Sequence, residues 1–241
     1  EVTEDDTSVT LSIDGTLAIQ DLDLIDAHTA QAVFKSSTSS VHLPGFDDDT
    51  PLGTFTIDPS VLESIIDTDN GATLGWHFSL DNNDAVLQSL AQGQTITQVY
   101  TVTFTDDHGA YVSQDVTVTI NGANDAPTIT SDAAAATGAV TEDDDASLTA
   151  GGTLAIQDVD LIDTHTAQAV FKSSSVSSAL PGFEDDSTNI GTFTIDAVSE
   201  SGSDTSNAAM LGWHFTLDNS DPVLQSLAEG QTITQVYTVT F

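Results

Sequence analysis

The stretch "GTLAIQDLDLIDAHTAQAVFKSS" at residues 15–37 returns as "GTLAIQDVDLIDTHTAQAVFKSS" at residues 152–174, an offset of 137 residues. "LGWHFSLDN" (74–82) returns as "LGWHFTLDN" (211–219), and "VLQSLAQGQTITQVYTVTF" (86–104) returns at 223–241 with Gln92 replaced by Glu229. A repeat of this length is too long for a solenoid unit and suits a whole domain with its own core. The 241 residues therefore divide into two beads, 1–126 and 127–241. The first copy continues through "TDDHGAYVSQDVTVTINGANDAP" (105–127), whereas the second stops at Phe241, so its final strand is expected to be missing. The opening Glu1-Val2-Thr3-Glu4 is not a secretion leader. The chain reads as an internal piece cut from a longer tandem array.

Within each bead the local patterns are those of strands. "TITQVYTVTFT" alternates apolar residues with threonine, "DVTVTI" (115–120) does the same after the turn signal "TDDHGA", and 96–120 is therefore an expected hairpin. "LGWHFSL" puts Trp76, Phe78 and Leu80 on one face, which predicts core packing for Trp76 and Trp213. "GTFTI" (53–57) and "AQAVF" (30–34) add short strands. A short helix is expected at 85–91, with Asp84 as its N-cap and Gly93 beyond its end. A second is expected after Asp58-Pro59, where "SVLESII" follows a proline suited to the first helical position. Many short strands, frequent turn signals and few helices predict an all-β, antiparallel β-sandwich in each copy.

Charge narrows the function classes. The formal net charge is −36, from 38 Asp plus Glu against two lysines, Lys35 and Lys172, with no arginine. A chain with only two lysines and no arginine cannot neutralise a row of phosphates, which argues against nucleic acid and anionic membrane surfaces. There is no cysteine to staple the fold, and no apolar run approaches a membrane span. Catalytic signatures are absent: no G-x-S-x-G, no phosphate-binding glycine loop, no EF-hand loop. The six histidines lack a C-x-x-C or H-E-x-x-H partner motif and are expected at the surface. Self-repulsion on this scale calls for salt or bound cations as a counterweight.

The acidic residues gather at particular places: "TEDD" (3–6, 141–144), "QDLDLID" and "QDVDLID" (20–26, 157–163), "LDN" (80–82, 217–219), "TDDHG" (105–109) and "NGAND" (121–125). In "DLDLID", alternation along an extended segment sets Asp21 and Asp23 on one face, about 7 Å apart. Two carboxylates so placed repel, and gain from a hard cation between them. Calcium takes six to eight oxygens from carboxylates, amide side chains and carbonyls, the groups these segments supply. The other reading of the pairs is a solvated acidic edge that blocks strand-to-strand association.

The run from "LGWHFSLDN" through "TDDHGAYVSQDVTVTINGANDAP" resembles the VCBS repeat, a cadherin-like, immunoglobulin-type module of very large bacterial surface proteins. The resemblance covers about 55 residues of the first copy, and the second copy matches until Phe241. It implies tandem cadherin-like sandwiches in secreted RTX-type adhesins exported by type I secretion, with Ca²⁺ at the junctions. On the cadherin pattern, Glu4 and Glu142 match the glutamate near the first strand, Asp21/Asp23 and Asp158/Asp160 the D-x-D pair, and Asn124-Asp125 the acidic linker before proline. Asp5, Asp143, Asp81, Asp218, Asp106 and Asp107 complete the expected metal set.

These readings together predict a non-enzymatic, calcium-stiffened spacer at the bacterial cell surface. It would project a distal ligand-binding region for adhesion and biofilm formation. Its partners would be calcium ions and neighbouring repeats of the same chain, with no nucleic acid and no membrane insertion. The alternative is a glycan- or protein-binding adhesin module that uses its sandwich loops, with the divergent segments 58–72 and 196–209 as the place of contact.

Overall fold

The computed structural model describes residues 1–5, 7–23, 26–63, 71–142, 145–200 and 208–241. The chain separates into two compact units, Glu1–Asp125 and Ala126–Phe241. The architecture is all-β with short helical turns. In the first unit the elements run β1 (Val2–Thr3), β2 (Thr10–Gln20), β3 (His28–Ser39), β4 (Thr54–Ile57), β5 (Leu62–Glu63), β6 (Gly71–Asp81), α1 (Ala85–Gln88), β7 (Thr95–Asp106) and β8 (Tyr111–Asn121). In the second they run β9 (Thr128–Ile129), a 3-10 turn (Ala133–Ala136), β10 (Ser147–Gln157), β11 (Gln168–Val176), β12 (Thr192–Ile195), β13 (Ala208–Asp218), a 3-10 turn (Leu224–Ser226) and β14 (Ile233–Thr240).

The first unit is a two-sheet sandwich. One sheet has the order β1-β8-β7-β3 and the other β2-β6-β4, with β5 also on β6. β1 lies parallel to β8, Val2 opposite Ile120, and the long pairs β3–β7, β7–β8 and β2–β6 are antiparallel. The period-two pattern of "TITQVYTVTF" is realised on β7, where Ile96, Tyr100, Val102 and Phe104 point into the core at 0, 4, 0 and 1% exposure. Leu74, Phe78 and Leu80 of β6 and Val116, Val118 and Ile120 of β8 bury against the same layer. Phe55 stacks on Tyr100 at 4.2 Å and on Trp76 at 5.6 Å, and Phe193 stacks likewise on Tyr237 and Trp213 at 4.2 and 5.7 Å. Both tryptophans are therefore packing residues, as their alternation predicts.

One half-buried amide ties a loop to the sheet. The Gln235 amide holds the Ile190 backbone, accepting from its N–H at 2.7 Å and donating to its carbonyl at 2.9 Å, which pins the 180–191 loop to the sheet. A half-buried amide so satisfied fixes the loop at no cost in unpaired polar groups. The helix expected at 85–91 forms only over Ala85–Gln88, as α1, with the Asp84 carboxylate accepting from the Val86 and Leu87 N–H groups.

Two expectations are corrected. The segment after Asp58-Pro59 is not helical where it is described: Leu62–Glu63 is a strand paired with Thr73 and Ala72 of β6. The backbone of Leu62 and Glu63 pairs with the β6 edge in place of a helical turn. The segment at Asp21–Asp23 is not a strand either, because β2 ends at Gln20 and Asp21 closes a turn by accepting the Asp23 N–H at 2.9 Å.

The second unit repeats the β2-β6-β4 sheet as β10-β13-β12, with β9 added on the outer side of β10, and pairs β11 with β14. The registers agree with the first unit: Gly15 lies opposite Trp76, and Gly152 opposite Trp213. The bulge after Phe34 recurs after Phe171.

Candidate metal centre

In the first unit the acidic residues collect at both ends of β7. At the Asp106 end, Asp21, Asp26 and Asp106 bring carboxylate oxygens within 4.8 Å of one another. Asp26, Asp107 and His108 form an overlapping group on the same criterion. Asp26 has 9% of its side chain exposed, and its carboxylate lies 3.4 Å from His108 Nδ1. The β2–β3 connection delivers Asp21 and Asp26 and the β7–β8 hairpin delivers Asp106 and Asp107, because His28 pairs with Asp106 across β3 and β7. Asp106 Oδ1 also accepts the His108 and Ala110 N–H groups at 2.8 and 2.9 Å, which fixes the hairpin tip.

At the other end Glu4 is buried at 4% exposure. Its carboxylate accepts from the Gln88 side chain and, at 3.3 Å, from the Ala123 N–H, while its own N–H donates to the Asn121 carbonyl at 3.0 Å. This pins the start of β1 beside the segment that leaves β8. Asn124 is exposed and Asp125 half-buried, and Asn124 Nδ2 donates to the Asp125 carbonyl at 2.6 Å. The twelve residues of β7 separate the two ends by roughly 35 Å.

The first aspartate of each D-x-D pair faces a histidine. His28 is held between Asp21 Oδ2, 3.1 Å from Nε2, and Glu63 Oε1, 2.7 Å from Nδ1. His165 repeats this between Asp158 Oδ2 at 3.0 Å and Glu200 Oε2 at 2.9 Å. These rings are 9% and 12% exposed, so the expectation of surface histidines fails for both. Burial opposes charge on His28 and His165, but the bonds to Glu63 and Asp21, and to Glu200 and Asp158, outweigh it and raise both above the ordinary histidine value. Asp21 is lowered, first by the Asp23 N–H and then by His28. In the second unit Asp158 and Asp160 are 4% and 2% exposed, and Asp158 Oδ1 accepts the Asp160 N–H at 3.0 Å. Asp23 is exposed.

Other expected ligands are turn residues. Asp5 accepts from the Thr7 and Ser8 backbone at 2.7 and 2.5 Å, which holds its carboxyl well below the usual range, with the Ser8 bonds the largest cause. Asp81 accepts the Asn83 N–H at 3.0 Å, and Asp218 the Ser220 N–H and hydroxyl at 2.8 and 2.7 Å. Asp107 is exposed beside His108, and Glu142 is half-buried. Asp143 lies outside the described residues.

The donors at the Asp21–Asp26–Asp106 cluster are all carboxylate oxygens, the chemistry of a hard cation such as Ca²⁺ and not of a thiolate- or imidazole-seeking metal. Sequence reasoning missed Asp26, Glu63 and Glu200. All three carried a signal, because Asp26 recurs as Asp163 and Glu63 as Glu200 at the repeat offset, the latter inside a segment that otherwise diverges.

No family model and no curated protein matches the chain. The VCBS resemblance therefore rests on the motifs quoted from the sequence. Among solved structures, the chain is similar to one described as "Chaperone-tip adhesin complex is vital for synergistic activation of CFA/I fimbriae biogenesis", at 9% identity and a TM-score of 0.39. That match covers 94% of this chain and 82% of the other. A likeness at this level carries no argument about what the chain does.

Proposed function

We propose that the chain is a pair of calcium-binding spacer modules from an adhesion protein of the bacterial surface. The observation that carries this reading is the convergence of Asp21, Asp26 and Asp106 at one end of β7, from segments far apart in sequence. Carboxylates at such spacing repel at neutral pH unless a cation lies among them, and a bound hard cation would hold the β2–β3 connection to the β7–β8 hairpin. The junction ligands Asn124 and Asp125 belong to the proposal on the sequence alone. Bound ions would stiffen each module and offset part of the −36 charge.

The test compares thermal melting and small-angle scattering in calcium and in chelator. A higher melting temperature that saturates with calcium, and that monovalent salt does not reproduce, supports the proposal. Equal melting in both conditions defeats it. A glycan array separates the spacer from a ligand-binding module, since a spacer binds none of the arrayed sugars.

A further inference from the structure

Near its start the second unit carries a segment held to it mainly by backbone groups. β9, Thr128–Ile129, pairs with only two residues of β10, Gln157 and Ile156, and the Thr130 and Ser131 N–H groups donate to the Ala155 carbonyl at 2.9 and 3.3 Å. By contrast, β10 pairs with β13 along all eleven of its residues. Asp132 then caps the 3-10 turn Ala133–Ala136 by accepting the Ala135 N–H at 2.9 Å. The turn presents the Ala135 carbonyl to Trp213 Nε1, which donates to it at 2.8 Å. Two glycines leave room for this contact. A Cβ on Gly152 would lie 2.5 Å from the Ala135 oxygen, and one on Gly138 2.7 Å from the Trp213 ring. Trp213 itself is 5% exposed. The segment's own side chains take little part: those of residues 128–130 and 132–134 are exposed, Ile129 at 66%.

We propose that residues 128–138 form a releasable strap, which leaves β10 and Trp213 in one piece while the rest of the second unit stays folded. Apolar burial supplies most of what holds an element in place. This segment buries almost no side chain of its own before Val140, which packs against the core. What holds it is a handful of polar contacts, each modest in net terms because water replaces it on release. An element so attached opens well below the free energy of global unfolding. Trp213 is the catch. Its ring stacks on Phe193, so the indole donor stays in position when the strap leaves and recaptures the Ala135 carbonyl when it returns. Release returns residues 128–138 to the chain that links the two units, about 36 Å of it when fully extended. A contact inside the second unit therefore sets how much linking chain is free. This inference is independent of the calcium reading.

The experiment follows amide hydrogen exchange in the whole two-unit protein by NMR, comparing Thr130 and Ser131 with the β10–β13 ladder. The expected result is that the two strap amides exchange through a local opening, faster than the ladder. Trp213→Phe keeps an aromatic ring and removes the donor, whereas Gly138→Ala keeps the donor and sets a methyl group against the ring. Each should speed exchange of the strap amides by about fivefold or more and affect the ladder less. Three outcomes overturn the proposal: strap amides that exchange no faster than the ladder, strap amides indifferent to both substitutions, or equal acceleration of strap and ladder in both variants.

Discussion

Glu63 grips His28 at two points: its Oε1 accepts the His28 backbone N–H at 2.6 Å and lies 2.7 Å from Nδ1 of the same ring. Glu200 holds His165 in the same way, at 2.7 Å to the backbone N–H and 2.9 Å to the ring. In a chain with only two lysines, histidine bridges the carboxylates, fastening the start of β3 to Glu63 of β5 in one unit and repeating the contact with Glu200 in the other.

The pH dependence follows from this. His28, His77, His108 and His165 are raised above 6.5, His77 chiefly by its bonds to Asp58 and Asp14, and His108 by the charges of Asp107 and Asp26. A raised histidine contributes stability that is fully present below its unfolded value and is lost as pH climbs through the folded one. Melting temperature should fall as pH rises above about 6.5. Glu63→Gln should lower the His28 titration midpoint in NMR and shrink that fall. An unchanged His28 midpoint would contradict the pairing.

On the acid side the sign reverses. Asp5, Asp21, Asp115 and Asp218 are held below the ordinary carboxyl value by local hydrogen bonds, with Lys35 the largest cause for Asp115. Their stabilisation is present above about pH 4 and is lost as they protonate below it. Scanning calorimetry should therefore give a stability maximum between the two limbs, with Asp218→Asn reducing the loss on acidification.

Calcium binding should depend on residues that the structure groups, not on every acidic motif. Asp26→Asn or Asp106→Asn should abolish most of the calcium-induced rise in melting temperature of the first unit. At calcium about 100-fold over the dissociation constant that rise corresponds to about 2.7 kcal/mol. Asp81→Asn, which removes only a turn contact, should leave the calcium increment intact. Equal increments in all three variants would remove the cluster from consideration.

Close packing makes Gly122 irreplaceable. A Cβ there would lie 1.7 Å from the Leu90 carbonyl oxygen and 2.6 Å from that of Ala91, so Gly122→Ala should cost about 3 kcal/mol or more. Gly109, at φ +92° with open space around it, should cost only about 1 to 2 kcal/mol as alanine, through backbone strain alone. Chemical denaturation of both variants tests the ranking.

Sequence-identical tyrosines should differ in worth. Tyr100 is 4% exposed and Tyr237 half-buried, although each stacks on a phenylalanine at 4.2 Å. Burial also pushes the Tyr100 hydroxyl up to about 12. Tyr100→Ala should cost about 3 to 5 kcal/mol, and Tyr237→Ala clearly less. Similar losses in calorimetry would mean that β8 adds little to the core.

By itself the sequence determined the repeat, the strand class and the inward row of β7, because period-two alternation and an internal duplication are local or one-dimensional signals. It also marked Asp84 as a helix cap, since that bond spans only three residues. Tertiary structure decided the rest. Asp21 left its expected strand because a turn and His28 satisfy its two oxygens, and a contact across 35 residues joined Glu63 to that histidine. Asp26 reached Asp106 only through the β3–β7 register. The identical residues of β7 and β14 were buried or half-exposed according to whether another strand lay beside them. Alternation says which face a side chain takes; only the neighbouring strand decides how far that face is withdrawn from water.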